Sequence, residues 1–274
     1  MSGNSLRPAA MAFDAIAPIF DARFGEWQSV AAQRRAVRRA LLETLPARAR
    51  VLELGGGTGE DAVWLAQHGF DVTLTDISPA MVELANGKLA RFGSRAKVAA
   101  AEDFERFAKD HLRKDSVLFD AAISNFAPLN CVDDLSPVAR GLARLVKPRG
   151  AAMLVLFGTF SPGEMLVETL RGRPKRALRR LKRDPVQARL GGHEFTVTYH
   201  SAAALRDAMR PWFQPVRRLG IGIFVPPSAA EPWISCHPTL LSALETLDRV
   251  ISYPFAAFGD HVLYCFERTD APAP

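Results

Sequence analysis

No apolar run in the 274-residue chain reaches the ~18 residues that a bilayer-crossing helix needs, so no membrane span is expected. Met1–Ala10 lacks the apolar stretch of a secretory signal, and the expected location is the cytoplasm. Cysteine is scarce: Cys131, Cys236 and Cys265 are odd in number and far apart, which fits neither a disulfide framework nor a CxxC metal pattern. They read as reduced thiols, and no metal is expected. Internal repeats and low-complexity tracts are also missing. What is present is a 48% hydrophobic composition, enough for one core spanning residues 1–274.

A general basic surface is missing too. The formal net charge is +6, but Arg171–Arg189 alone holds nine Lys/Arg and one acid, Asp184. Taking these from the 35 basic and 29 acidic residues of the chain leaves 26 and 28, a net of −2. The positive charge is therefore a local patch and not a general nucleic-acid-binding surface, and RNA binding at the patch is the weaker alternative because no aromatic residue lies among the cations to stack on bases. Leu166, Leu170, Ala177, Leu178 and Leu181 recur at helical spacing beside the cations, with Pro174 expected to divide the stretch into two helices. Residues 166–189 are expected either as a cap with a solvated basic face or as a reversible contact with the inner face of an anionic membrane.

Short apolar runs alternate with helical patterns. Arg50–Leu54, Asp71–Thr75, Ala96–Ala100, Val117–Ser124 and Ala151–Phe157 read as strands, separated by helices over Glu60–His68, Pro79–Phe92, Asp103–His111 and Leu135–Val146. Ser78 before Pro79 makes an N-cap with proline at the first helical position. A helix over Ala202–Met209 and strands over Val216–Phe224 and His261–Glu267 continue the scheme. A helix over about Trp27–Leu45 precedes it, with Arg34, Arg35, Arg38 and Arg39 expected on a solvated face. The alternation predicts an α/β fold, a Rossmann-like doubly wound sheet that is mostly parallel and covered on both faces. Two segments, about 158–192 and 225–259, interrupt it and are expected as cap insertions over the ligand side.

The first strand runs into Glu53-Leu54-Gly55-Gly56-Gly57-Thr58-Gly59. Glycines at a strand-to-helix turn let a ligand approach the backbone closely. Asp76 ends the second strand 17 residues after Gly59, where an acid can grip ribose hydroxyls. One rival ligand is the dinucleotide of an NAD(P)-dependent oxidoreductase, because Gly57-Thr58-Gly59-Glu60-Asp61-Ala62 satisfies G-x-G-x-x-A. A pyrophosphate, however, needs the bare positive end of the following helix, which Glu60 and Asp61 occupy. The two glycines between Leu54 and Gly57 are also out of register for that motif. S-adenosylmethionine carries a sulfonium and an ammonium and no phosphate, so nearby acids suit it.

These residues resemble the class I S-adenosylmethionine-dependent methyltransferases. Glu53–Gly59 looks like their E/D-x-G-x-G-x-G motif, Phe119-Asp120 through Asn125-Phe126 like their fourth motif, and Leu145–Gly150 like the turn before the fifth strand. Phe13-Asp14-Ala15-Ile16-Ala17-Pro18-Ile19-Phe20-Asp21 resembles the F-D-x-x-A-x-x-Y-D segment of quinone-biosynthesis and malonyl-carrier-protein methyltransferases, with Phe20 in place of tyrosine. The resemblance covers about residues 13–157. It implies S-adenosyl-L-methionine as cofactor and an antiparallel last strand. Glu53 would face the methionine end, Gly55, Gly57 and Gly59 would line the cofactor, and Asp76 would hold the ribose. Relatives often carry an acid or Asn after the third strand for the adenine amino group. Ala100 stands there, so Glu102 or Asp103 is expected to substitute, the alternative being a plain helix start with acids at its positive end. Asn125 and Phe126 would border the transferable methyl group.

The expected activity is methyl transfer to a small, apolar acceptor at oxygen, with carbon or nitrogen methylation by the same fold as the alternative. A non-enzymatic adaptor that keeps the fold is a further reading. An antiparallel last strand puts its start, Asp260-His261, on the ligand face, and Gly192–Ser201 should lie there too. His261, His200 and His193, in that order, are the candidate bases, since an imidazole with an ordinary pKa of about 6.5 suits deprotonation of a hydroxyl. For each, a hydrogen-bonded structural role is the alternative.

Overall fold

The computed structural model describes residues 7–115, 117–182 and 184–274. Three helices precede the sheet: α1 (Pro8–Ile16), α2 (Phe20–Phe24) and α3 (Gln28–Thr44). Strand and helix then alternate through β1 (Arg50–Leu54), α4 (Glu60–Gln67), β2 (Asp71–Asp76), α5 (Pro79–Leu89), β3 (Arg95–Val98), α6 (Phe104–Lys114), β4 (Phe119–Ser124), α7 (Ser136–Leu145) and β5 (Val146–Phe157). After these come α8 (Pro162–Leu170), α9 (Pro174–Ala177), β6 (Val186–Leu190), β7 (His193–Val197), α10 (Ala202–Met209), β8 (Phe213–Ile221), α11 (Pro238–Ile251) and β9 (His261–Arg268).

Seven strands form one sheet in the order β3-β2-β1-β4-β5-β9-β8. The first five pair in parallel, and β9 runs antiparallel to both its neighbours. The sheet works because its strands alternate apolar residues between two buried faces. In β1, Val51 points into a core shared with α3, α4 and α5, whereas Leu52 and Leu54 point into one shared with α6, α7 and α10. In β5, Met153 and Val155 join the first core, and Ala152, Leu154 and Leu156 the second. The expected N-cap is made: Ser78 Oγ accepts from the Met81 amide at 3.1 Å.

Several boundaries differ from the sequence reading. β5 begins at Val146, because Lys147–Gly150 is a kink within the strand, with Arg149 left-handed at φ 64°, and not a separate turn. β6 and β7 form an antiparallel hairpin that packs on α1, and neither it nor α1 is legible as such from hydrophobic period. Arg34 and Arg38 are not on a solvated face. Both turn toward α4 and pair with buried Asp61, at 2.8 and 2.7 Å. Arg35 reaches Glu245 on α11.

The register fixes where chemistry can occur. Ligands of open α/β sheets lie beyond the carboxyl ends of the parallel strands. His261, the first residue of β9, pairs with Phe157 at the end of β5 and Ile221 at the end of β8. The antiparallel strand thus delivers its first residue to that edge.

Candidate active site

The turn after β1 needs backbone that only glycine adopts without strain. Gly57 has φ 55°, and a Cβ there would meet nothing within 4 Å, so its α-carbon faces open space. Gly55 has φ 64°, and a Cβ there would lie 2.3 Å from Pro128. The Gly57 amide donates to Asp76 Oδ2 at 2.9 Å, and the Ser78 amide donates to Oδ1 at 2.9 Å. Burial pushes the Asp76 carboxyl up, and the backbone donors oppose that shift. Glu53, at the end of β1, is buried, and its Oε2 has no hydrogen-bond partner among the described residues. Burial and the neighbouring Asp61 hold its carboxyl well above the usual range. A buried carboxylate without a partner is costly unless a donor or cation meets it. An ammonium group fits that position.

The N-terminal segment straps this loop down. Asp14 accepts from Ser78 Oγ and from the Ala80 amide, at the start of α5. Asp21 accepts from Thr58 Oγ1 and Lys88 Nζ. Burial pushes the Asp21 carboxyl up, but the Lys88 and Thr58 bonds outweigh it and hold it below the usual range. Ile16 and Ala17 pack with Met81, flanked by Phe13, Phe20 and Phe24. Both acids of the F-D-x-x-A-x-x-F-D segment are therefore clamps, a role that composition and period do not reveal.

Asp61 occupies the first turn of α4, but Arg34 and Arg38 share its charge. Arg38 also reaches Glu60 at 3.3 Å, so the acids of this first turn repel a pyrophosphate less than the sequence alone implies. Asn125 Nδ2 donates to Asp61 Oδ2 at 2.8 Å, and its Oδ1 accepts from the Phe126 amide. Phe126 and Ala127 are left-handed, at φ 56° and 61°. Two such residues in succession store about 1–3 kcal/mol each, and surrounding contacts must hold them. The Phe126 ring lies 4.7 Å from the Arg34 guanidinium and edge-on to His261 at 5.8 Å.

His261 is buried, with its ring stacked on Phe157 at 4.9 Å. Its Nδ1 lies 3.2 Å from Asp260 Oδ2, off the line of a good hydrogen bond. Asp260 accepts from Arg180 at 2.6 Å and from Gln33 at 3.2 Å. Burial opposes its ionisation, but Arg180 and His261 outweigh that and hold the carboxyl well below the usual range. Arg180 also donates to the Gly158 and Asp260 carbonyls, pairs with Glu164, and lies over the Phe157 and Tyr199 rings. Arg180 and Gln33 are functional candidates that sequence reasoning missed, and Asp260, expected on the ligand face, was given no role there.

The remaining predicted residues sit elsewhere. His200 Nε2 is 2.7 Å from the Val132 carbonyl in a buried setting, a structural tie. His193 is exposed at the β6–β7 turn and is not brought to the Asp260–His261 pair. Glu102 and Asp103 both pair with Arg7, at 3.0 and 2.9 Å. Cavities of about 180 Å³ beside α3 and α11 and about 270 Å³ at the amino ends of the strands touch neither the glycine loop nor His261.

Residues 24–210 match the methyltransferase domain family. The chain belongs to the S-adenosylmethionine-dependent methyltransferases. It is 31% identical over 208 residues to a malonyl-[acyl-carrier protein] O-methyltransferase of Halorhodospira halophila, an alignment covering 70% of this chain and 67% of that protein. It is 27% identical over 157 residues to human EEF1A lysine methyltransferase 2, covering 53% of this chain and 66% of that protein's length. Among solved structures, the CcbJ methyltransferase of Streptomyces caelestis shares the fold at a TM-score of 0.58, with 16% identity over 94% of this chain and 98% of that one. S-adenosyl-L-methionine is the cofactor of this methyltransferase, and the orphaned Glu53 carboxyl and the open face of Gly57 fit it.

Proposed function

We propose that this methyltransferase methylates an oxygen of a small, apolar acceptor, with His261 as general base. The observation that carries the reading is the Asp260–His261 pair at the ligand edge, walled by Phe126 and Phe157, where His261 Nε2 makes no hydrogen bond among the described residues. When bound, S-adenosylmethionine supplies a methyl group on positively charged sulfur. Glu53 receives the ammonium of its methionine end, Asp76 the ribose hydroxyls, and Gly55, Gly57 and Gly59 let it lie against the backbone. Asn125 and Phe126 would border the methyl group. Nε2 of His261 takes the acceptor's hydroxyl proton, and the Asp260 carboxylate, 3.2 Å from Nδ1, stabilises the imidazolium by its charge. Aromatic walls suit a planar or apolar acceptor. The relative from Halorhodospira halophila is by name an O-methyltransferase, which favours oxygen over nitrogen or carbon. Transfer of labelled methyl to a panel of phenols, alcohols, carboxylic acids and amines tests it. Labelled ethers of phenols or alcohols are the expected products, and exclusive labelling of amines or carbon would overturn it.

Two binding results should follow. Asp76→Ala is expected to weaken adenosylmethionine at least tenfold by calorimetry, because charge-assisted hydrogen bonds contribute about 1.5–3 kcal/mol each. Unchanged affinity in a folded variant removes the ribose assignment. Glu53 gives a signed pH effect. Its carboxyl is raised without ligand, and an ammonium favours its ionised form, so binding releases a proton. Affinity should fall as pH drops below the raised value, by up to about tenfold per pH unit. Binding heats in two buffers of different ionisation enthalpy should differ for the wild type and agree for Glu53→Gln.

A further inference from the structure

We propose that the surface formed by residues 160–182 and 253–258 docks on an anionic lipid bilayer. The structure sorts the charges of this segment. Arg180 is buried against Glu164 and Asp260, and Arg179 pairs with Glu164. Arg171, Arg173, Lys175, Arg176 and Lys182 are exposed and form no ion pair among the described residues. The two acids of the stretch, Glu164 and Glu168, are both buried. Its outer face therefore shows cations and no acid.

That face also shows apolar side chains that nothing covers. Leu166, Leu170, Leu178 and Leu181 are 61%, 79%, 51% and 52% exposed. Phe160 precedes α8 and meets Phe258 at 5.8 Å, and Phe258 meets Phe255 at 6.1 Å. All three rings, with Tyr253, are exposed, which extends the patch past the end of α11. Pro174 separates the leucines of α8 from those after α9, as the sequence implies.

Leucines and phenylalanines interleaved with unpaired cations match the chemistry of a bilayer interface. Apolar groups enter the acyl boundary while arginine and lysine stems lie along it with their charges at anionic headgroups. An acidic protein or RNA would use the cations but leave four leucines without a role. Arg180, from the same segment, holds Asp260 beside His261, so the docked face adjoins the acceptor side of the site. An apolar acceptor could then pass from bilayer to site without crossing water.

Co-sedimentation of the full chain with phosphatidylglycerol/phosphatidylcholine vesicles and with pure phosphatidylcholine vesicles, at low and high salt, tests this. Binding to the anionic vesicles at low salt is expected, with at least tenfold loss at high salt and none of comparable strength to neutral vesicles. Each cation near the surface contributes roughly fivefold, so Arg171→Gln with Lys175→Gln should lower partitioning more than tenfold. Leu166→Ser with Leu170→Ser should lower it at least tenfold, and both pairs should keep the wild-type Tm because these side chains are exposed. No binding at low salt, equal binding to neutral vesicles, or indifference to the leucine pair overturns the proposal. Retention of RNA or an acidic protein without vesicle binding does the same. The vesicle series on the wild type stands whether or not a variant folds.

Discussion

His261→Ala is expected to lower kcat by about 10²–10⁴, the range that positioned general bases contribute, with adenosylmethionine affinity unchanged. The imidazole sits between Phe126 and Phe157 rather than against Glu53 or Asp76, so its loss should spare the cofactor. Its partner Asp260 is kept ionised by Arg180 and fixed by Gln33. A carboxylate locked this way can favour the imidazolium that forms as the acceptor loses its proton. Asp260→Asn should therefore lower kcat while leaving KM nearly constant. Steady-state rates on the acceptor found by methyl transfer, measured across pH, provide the check. An alanine variant with unchanged kcat at every pH would sink base catalysis and leave positioning of two bound reactants as the source of acceleration. A carboxylate acceptor, which needs no base, would then be favoured.

The sequence and the structure agree best where local chemistry decides the conformation. β1 is bounded by glycines on one side and a turn on the other, and α10 lies between Ser201 and Pro211, so both are legible to the residue. The Ser78 cap is legible for the same reason. The β6–β7 hairpin is half-exposed and begins in the basic stretch, so its alternation is weak and Gly191-Gly192 alone marks its turn. An arginine on a helix defaults to water. Only the docking of α3 against α4 reveals that Arg34 and Arg38 neutralise Asp61. The glycine loop and Asp76 are readable as a site because they are contiguous or closely spaced. His261 is readable only through the topology of the last strand. The pairing of Arg180 with Asp260, 80 residues apart, is not readable at all. Among the described basic residues of Arg171–Arg189, Arg180 is the buried one, and burial rather than residue type distinguishes it.

That inward arginine carries the largest stability effect expected for the fold. Arg180→Met should destabilise the protein by about 3–5 kcal/mol, the cost of removing one partner from a buried charge network, and lower Tm by roughly 10 °C. Arg180 is 5% exposed, Glu164 3% and Asp260 4%, so neither acid can recover its lost partner through water. The pH dependence separates this cause from lost packing, which methionine largely preserves. In the wild type, Asp260 has a folded-state pKa below its unfolded value. Its contribution to stability is therefore complete above the ordinary carboxylate range and is lost as pH falls through the depressed value. In Arg180→Met that depression is relieved, and buried Asp260 favours protonation. The stability gap between variant and wild type should thus be widest near pH 7 and shrink as pH falls toward 4, where protonation relieves the variant. Urea unfolding at several pH values measures both curves. A gap that stays constant with pH would mean that Arg180 stabilises through its aliphatic stem and its rings, Phe157 and Tyr199, rather than through charge. Because Arg180 also sets Asp260 against His261, the folded fraction of the variant should show the kcat loss of Asp260→Asn. A variant as unstable as expected but fully active would separate the cap's structural role from the chemistry.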